Sequence, residues 1–304
     1  MKPQKPTETE RALPFVRMLA FMGLALLFFS CASERRLASR FVVRESNINL
    51  LLLPPSGLLK SFSPVHPSEI PEDEPFFFDP AESRFLEALN DSAFVDYYMR
   101  SLTYHLSQLQ INVYGPEALD RFLGLDSTAF IFSMAQVELL EFNDYFTEFT
   151  AIDTMNYRVD LPRTNLELST WFEFTEVNHS ERPVEVLFSM QNTSDYFDGR
   201  FVYNMFSGEV SYRKTTYPLE VPDVYDLAYF AGQKNAGYIF DHLMNLYVHD
   251  KRKANVPSRI YYQYDSERHA IRRAYNDRFI RIPASPADPV SDELEALKEL
   301  KDSL

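Results

Sequence analysis

Glycine and cysteine are both scarce in this chain of 304 residues. It has 8 glycines, where an average composition of about 7% would give roughly twenty. This scarcity argues against glycine-rich phosphate loops and glycine-turn repeats. The spacing of Gly232 and Gly237 imitates such a loop, but Tyr238 stands where the loop needs lysine. The single cysteine, Cys31, leaves no partner for an internal disulfide, so the fold must depend on its hydrophobic core.

Positive charge is also in short supply. The chain has 30 basic and 44 acidic side chains, a net charge of −14. Removing residues 1–30 takes away four basic and two acidic residues, which leaves 26 against 42 and a net charge of −16. Such a chain repels nucleic acid, and we expect no nucleic-acid partner. The exception is the segment 251–281, which contains nine basic and three acidic residues.

The first thirty residues have the pattern of a targeting signal. Four basic residues precede an uncharged apolar run of 12 residues, Met18–Phe29. That run has the length of a signal-peptide core and falls short of the roughly 20 residues of a membrane-spanning helix. Cys31 follows directly after Ser30, which resembles the cleavage and lipidation site of bacterial lipoproteins. The sequence therefore predicts a lipoprotein signal peptide over 1–30 and a lipid on Cys31. An ordinary secretory leader with an incidental cysteine is the alternative.

Hydrophobic periodicity predicts an α+β fold. The apolar run 47–53, stopped by Pro54 and Pro55, indicates a buried first strand. Apolar residues at helical spacing predict two long amphipathic helices, at 91–110 and 223–249, packed on a largely antiparallel sheet. Alternating segments rich in aromatic and β-branched residues predict the sheet's strands, over 128–149, 165–177, 184–191 and 208–217.

These elements suggest an order of segments along the chain. We expect the signal peptide over 1–30, a polar tether over 31–46 and a single α+β domain over 41–282. A proline-rich linker and a short amphipathic tail helix are expected over 283–304.

Three segments resemble a known family: Leu50–Pro55, Tyr98–Leu123 and Ala129–Leu139. They are similar to the curli-secretion (CsgG-like) periplasmic lipoproteins, in which a strand ending at proline precedes a helix, a strand-to-helix turn and a further strand. The turn here begins at Val113-Tyr114 and continues to Leu119 and Leu123. The three segments lie within residues 50–139, about a third of the chain. The resemblance implies an envelope lipoprotein that assembles with, or serves, an outer-membrane export or polymer-assembly apparatus. We do not expect the pore formation of that family here, since the predicted antiparallel strands offer no clear membrane-inserting hairpin.

Motifs of catalysis and metal binding are missing from the sequence. No nucleophile elbow, zinc-protease motif or cysteine pair occurs. His242 and His249 lie two helical turns apart, about 10 Å, which is too far for one metal ion. We therefore predict no catalytic residues, no metal and no cofactor. Binding of a glycan or another ligand through exposed aromatics such as Trp171, or hydrolysis by one of the many acidic pairs, is the alternative function.

The predicted partner site combines Arg268, Arg272 and Arg273 of the basic segment with Leu294 and Leu297 of the tail helix. The arginines attract an anionic partner, although a solvated basic strand is the plainer interpretation. A helix of about 14 residues needs a surface to pack against, either a partner or its own domain. We expect a non-enzymatic accessory factor whose partners are other envelope proteins and the membrane, with self-association left open.

The two residues after the predicted lipidation site indicate a location. Ala32 and Ser33 lack the acidic cluster expected of surface-exported lipoproteins. We therefore expect the protein to be anchored by lipid in the outer membrane, at its periplasmic face.

Overall fold

A computed structural model describes residues 34–43, 48–70, 80–125, 128–152, 154–177, 183–252 and 260–282. These residues form four α-helices: α1 (34–43), α2 (Asp91–Gln108), α3 (Leu119–Leu123) and α4 (Val221–Lys251). The strands are β1 (Asn49–Leu53), β2 (Leu59–Ser63), β3 (Asn112–Tyr114), β4 (Ala129–Ile152), β5 (Met155–Glu176), β6 (Glu185–Ser194), β7 (Tyr196–Tyr203), β8 (Val210–Tyr217), β9 (Tyr261–Asp265), β10 (Ala270–Ala274) and β11 (Ile280–Ile282).

The main sheet has the strand order β11-β6-β5-β4-β1-β3, and β2 also pairs with β4. The pairs β4–β5, β5–β6 and β6–β11 are antiparallel and contain most of the paired residues. The prediction of a mixed fold with a largely antiparallel sheet is therefore confirmed. The sequence did not predict that β1, β2 and β3 join the sheet in parallel. It also missed β7 and the strands β2, β10 and β11, which have five residues or fewer.

The parallel edge is produced by a strand–helix–strand unit. In β1 the first four residues are buried, which is typical of a strand covered on both faces. The chain returns through α2, which begins where Asn90 accepts a hydrogen bond from the Ala93 backbone N–H at 2.9 Å. It then adds β3 beside β1. Because β1 lies between β3 and β4, β3 is left at the edge of the sheet.

A buried polar network joins α2 and the first part of α4 to the sheet. Asn235 of α4 donates to the Tyr98 hydroxyl at 2.6 Å and to Thr170 at 3.1 Å, and it accepts from Ser189 at 2.7 Å. A side-chain carbon at Gly232 would collide with the backbone oxygen of Tyr98, so glycine permits the close approach of the two helices. Burial raises the pKa of Tyr98 far above its ordinary value.

The described residues divide into two compact units, and the division falls within α4 between residues 238 and 239. One unit contains the main sheet, β7, β8, α2, α3 and residues 221–238. The other contains 34–43, 239–252 and 260–277. The single domain predicted over 41–282 stays a prediction, which limited proteolysis tests.

In the smaller unit, side chains of α4 mimic a neighbouring strand for β9. Asn245 accepts from the Tyr262 backbone N–H at 2.8 Å and donates to the Tyr262 carbonyl at 2.9 Å. Asp241 accepts from the Tyr264 backbone N–H at 2.7 Å. These bonds satisfy backbone groups that the β9–β10 pairing leaves available.

The tether predicted over 31–46 is wrong at residues 34–43, which form α1. Glu34, Ala38 and Phe41 are buried, at the spacing of one helical face. Phe41 contacts the rings of Phe240 and Tyr247, with centroids 5.3 and 5.6 Å away. The charged run at 34–36 concealed this pattern in the sequence. Within the described residues, none of the helices combines the length and hydropathy that crossing a bilayer requires.

Candidate binding surfaces

The predicted site residues are only partly covered by the structure. Cys31, Leu294 and Leu297 lie outside the described residues, as does the whole of the linker and tail helix at 283–304. The three arginines of the predicted partner site are described. They lie in the smaller unit, on the two-stranded ribbon of β9 and β10.

The three arginines are exposed but do not form one patch. Arg268 lies in the turn of the ribbon, where its backbone N–H donates to Asp265 at 3.0 Å. Arg272 forms an ion pair with the same aspartate at 2.9 Å. Arg273 is the next residue of β10, so its side chain leaves the opposite face of the ribbon. Arg268 and Arg272 thus both contact Asp265. Partner binding by these arginines stays a prediction.

A long β-arm extends the main sheet. Pairing of β4 with β5 continues to Ile152 and Met155, whereas β2 follows β4 only to Phe142 and β6 follows β5 only to Asn165. Beyond those points the sheet has two strands. The β7–β8 hairpin packs against one face of this extension through Phe197 and Phe201. We call the extension of β4–β5, residues 143–152 and 154–164, together with β7–β8, the arm.

Polar contacts also hold the two layers of the arm together. The Tyr212 hydroxyl donates to the Glu148 carboxylate, and this bond raises the Tyr212 pKa to about 12. At the root of the arm, Arg163 pairs with Asp144 at 2.6 Å. The hydrogen bond from Arg163 lowers the pKa of that carboxyl. The arm is therefore a packed two-layer structure with its own contacts.

The outer face of the arm exposes aromatic side chains. Tyr145 is 70% exposed and Phe149 is 80% exposed, and each lies two positions from Thr147, on the same face of β4. Thr147 donates to Asp160 at 2.6 Å across the strand pair. Met155, at the tip, is also exposed. Large apolar side chains exposed together on a soluble surface indicate an interaction site.

The turn between β7 and β8 exposes two further apolar side chains in a defined conformation. Met205 is 82% exposed and Phe206 is fully exposed. The Asn204 side chain accepts from the Phe206 backbone N–H at 3.0 Å, and the Gly208 backbone N–H donates to the Asn204 carbonyl at 2.8 Å. Gly208 has a φ of +71°, which glycine adopts without strain. The turn therefore holds Met205 and Phe206 in water in an ordered arrangement.

A groove of about 620 Å³ lies between α2 and the edge strand β3. Its apolar wall includes Val95 and Met99 of α2, Leu52 of β1 and Val113 of β3. It opens beside the carboxyl ends of the parallel strands β1 and β3. In sheets with parallel strands, ligands bind in the crevice at such ends, and this volume lies within the range of known ligand sites.

Carboxylates line the groove. Asp91, Asp96 and Glu117 contribute to its wall, and none of the described lining residues is basic. Lys60 pairs with Asp91 at 2.9 Å and Arg100 with Asp96 at 2.8 Å, so two of the three negative charges are compensated from outside the groove. The Glu117 carboxylate lies over Gly115, where a side-chain carbon would collide with it.

The sheet face opposite the polar network presents the single tryptophan. Trp171 and Phe188 are cross-strand partners whose ring centroids are 4.9 Å apart, and both are half-buried. Glu167 lies on the same face of β5 because side chains alternate along a strand. Burial raises the pKa of Glu167. Aromatic side chains with a few polar groups on the same surface are common in sites that bind ligands.

The remaining buried acids have structural partners. Glu141 accepts from the backbone N–H groups of Arg84 at 2.8 Å and Phe85 at 3.1 Å, and it anchors the segment before α2. Asp195 accepts from the backbone N–H groups of Leu219 and Thr164. Within the described ranges, no cluster of three histidine, cysteine or acidic side chains is suited to a metal ion.

Sequence reasoning missed both the arm and the groove. The alternation in 128–149 predicted a strand but gave no measure of how far its partners follow it. The groove depends on which strand becomes the edge. A comparison with models of protein families and a comparison with curated proteins each found no match.

Proposed function

We propose that the chain is a non-enzymatic, lipid-anchored protein of the bacterial cell envelope that serves as an assembly or accessory factor for an outer-membrane or periplasmic complex. In this proposal Cys31 carries the lipid and the protein faces the periplasm. The same proposal includes the finer fold prediction, in which α2 and α4 are amphipathic helices packed on one sheet face and a tail helix follows the linker.

The observation that supports docking to another protein is the apolar surface of the arm. Fully burying a phenylalanine contributes about 1.5–3 kcal/mol, so Phe149 and Phe206 each leave a substantial gain unrealised in the free protein. Their strands and turn are ordered by hydrogen bonds within the arm. Binding therefore costs little conformational entropy, which favours a defined protein partner.

The test places a photo-crosslinking amino acid at Phe149, at Phe206, at Arg272 and, as a control, at Ser211 in whole cells. Ser211 is an exposed polar position on β8 of the same arm. We expect the two apolar positions to give the same discrete adduct and the control position to give none. Adducts at Arg272 with none at the arm would contradict docking by the arm and favour the predicted basic site.

Lipidation is tested separately. Cys31→Ala is expected to abolish labelling by radioactive or clickable fatty acid and to release the protein from the membrane fraction, because each buried methylene of an acyl chain contributes about 0.8 kcal/mol. Unchanged label and fractionation would refute the anchor. Arg36→Ala, close by in the sequence, is the matched control that keeps Cys31.

Glycan binding at Trp171 is the second candidate. The favouring observation is the pairing of Trp171 with Phe188 on the sheet face that carries Glu167. Sedimentation with purified cell-wall glycan tests it, with Trp171→Ala expected to lose binding and Tyr217→Ala, an exposed aromatic of β8, expected to keep it. Equal sedimentation of the two variants would exclude this face.

A further inference from the structure

We propose that the groove between α2 and β3 binds an extended, basic peptide segment of a partner protein, which adds as a strand to the edge of β3 that no strand of the described residues covers. This site lies in the main-sheet unit and is separate from the apolar surface of the arm. The inference depends on the position of β3, the direction of its backbone groups and the charge of the groove.

The edge of β3 offers backbone groups to a new strand. The Asn112 backbone N–H donates to Ile48 at 2.9 Å, on the side of β1. Because successive residues of a strand direct their N–H and C=O groups to opposite sides, the N–H and C=O of Val113 are directed away from β1. Val113 also lines the groove. A peptide lying there forms two main-chain hydrogen bonds with Val113, as in other complexes that extend a sheet.

The shape of the groove suits an extended chain. Its α2 wall runs from Asp91 to Thr103, a distance of about 18 Å at 1.5 Å per residue. Five residues of a strand, at about 3.3 Å each, cover a similar length. Val95 and Met99 provide apolar contacts on this wall, so every second side chain of the peptide meets an apolar surface.

The charge of the groove selects the peptide. Asp91 stands in the first turn of α2, where it occupies the position that would otherwise attract an anion. Glu117 forms no ion pair among the described residues. A phosphate or an acidic peptide is therefore repelled, and a lysine or arginine side chain beside Glu117 gains a partner.

The probe is a fluorescent, acetylated and amidated hexapeptide that alternates lysine and valine, titrated into the full-length protein and followed by anisotropy. We expect saturable binding that weakens with salt, and no binding of the peptide in which glutamate replaces lysine. The same lysine–valine peptide with every backbone nitrogen methylated is expected to bind at least about tenfold more weakly because it cannot donate a main-chain hydrogen bond to the edge. Equal binding of the N-methylated peptide would show attraction by charge alone and overturn the proposal.

Variants of the protein test the same contacts. Val113→Pro removes the outward N–H while leaving the bonds to β1, and proline is tolerated on edge strands. We expect about a tenfold loss of affinity. Thr103→Trp fills the groove from α2 without altering β3, and it should abolish binding even if Val113→Pro fails to fold. Glu117→Gln is expected to weaken binding by about threefold to tenfold, whereas Asp120→Asn, an exposed acid of α3, should not.

Several results would overturn the proposal. They are the absence of binding at millimolar peptide, equal affinity for the glutamate peptide, and unchanged affinity in both Thr103→Trp and Glu117→Gln. None of these results bears on docking by the arm, which the crosslinks at Phe149 and Phe206 test independently.

Discussion

Asn235 is the residue whose replacement tests the packing of the helices on the sheet most directly. It is fully buried in α4, and its side-chain amide bonds to residues of three other elements: Tyr98 of α2, Thr170 of β5 and Ser189 of β6. Asn235→Ala removes all three hydrogen bonds at once. The remaining hydroxyl groups keep contacts with one another, including Thr170–Ser189 at 2.7 Å.

The expected loss follows from the number of bonds. A buried hydrogen bond contributes about 1 kcal/mol net, and an unsatisfied buried group costs about 1–3 kcal/mol. We therefore expect Asn235→Ala to lower the free energy of unfolding by about 3 kcal/mol. Thr170→Val removes one member of the network and should cost about 1–2 kcal/mol. The double variant should lose less than the sum of the two because both substitutions remove a shared bond.

The assay is urea unfolding followed by intrinsic fluorescence. Trp171 is the only tryptophan and adjoins Thr170 in β5, so its emission reports on this sheet. With a slope of about 1–3 kcal/mol per molar urea, the midpoint for Asn235→Ala should fall by at least about 1 M. Asn192→Ala, at an exposed position of β6, is the control and should change stability by less than about 0.5 kcal/mol. If Asn235→Ala behaves like this control, the network does not hold the helices on the sheet.

Three further predictions concern single positions. Glu167→Gln should stabilise the protein at pH 7 but not at pH 4. The pKa of this half-buried carboxyl is raised in the folded state, so its stabilising contribution is present below the ordinary pKa and is lost as pH rises through the folded-state value. Thermal melts at both pH values check this, and a difference in melting temperature between variant and wild type that is the same at both would refute it. Gly199→Ala should displace the Tyr212 ring that lies over Gly199, destabilising the β7–β8 layer by about 1–3 kcal/mol, seen as faster amide hydrogen exchange there. Phe41→Ala should lower the free energy of unfolding by about 3 kcal/mol, because Phe41 is buried, whereas Val43→Ala, at an exposed position, should not. Equal melting temperatures of the two variants would favour the interpretation of this segment as a tether.

The elements predicted best are those whose pattern is local. The helix expected at 91–110 begins at Asp91, because its cap, Asn90, and its apolar stripe both lie within one segment. The strand stopped by Pro54 ends at Leu53 for an equally local reason. The sequence failed where tertiary contacts decide. The face of α1 is stabilised by Phe240 and Tyr247, which lie some two hundred residues further along the chain.

The acidic groove could not be predicted from the sequence. Asp91, Asp96 and Glu117 are three acids among 44, and nothing in their spacing sets them apart. They line one groove because β3 returns beside β1 and not beside β4, a choice fixed by the crossover through α2. The aromatic residues of the arm alternate as they would in a core strand. Whether Phe149 is buried or exposed depends on where β2 and β6 end, which the alternation does not encode.

The edge strand and the arm together support the proposal of partner binding. Soluble proteins protect sheet edges and avoid exposed apolar patches because both promote aggregation. Here β3 is restricted to three residues, and Gly115 and Pro116 follow it directly, so a single outward-facing residue is available and indefinite strand addition is prevented. On the arm, Thr147 and Asp160 interrupt the aromatic surface between Tyr145 and Phe149. Each feature is limited to the size of one specific contact, which supports the proposal that the edge of β3 and the arm are separate docking sites.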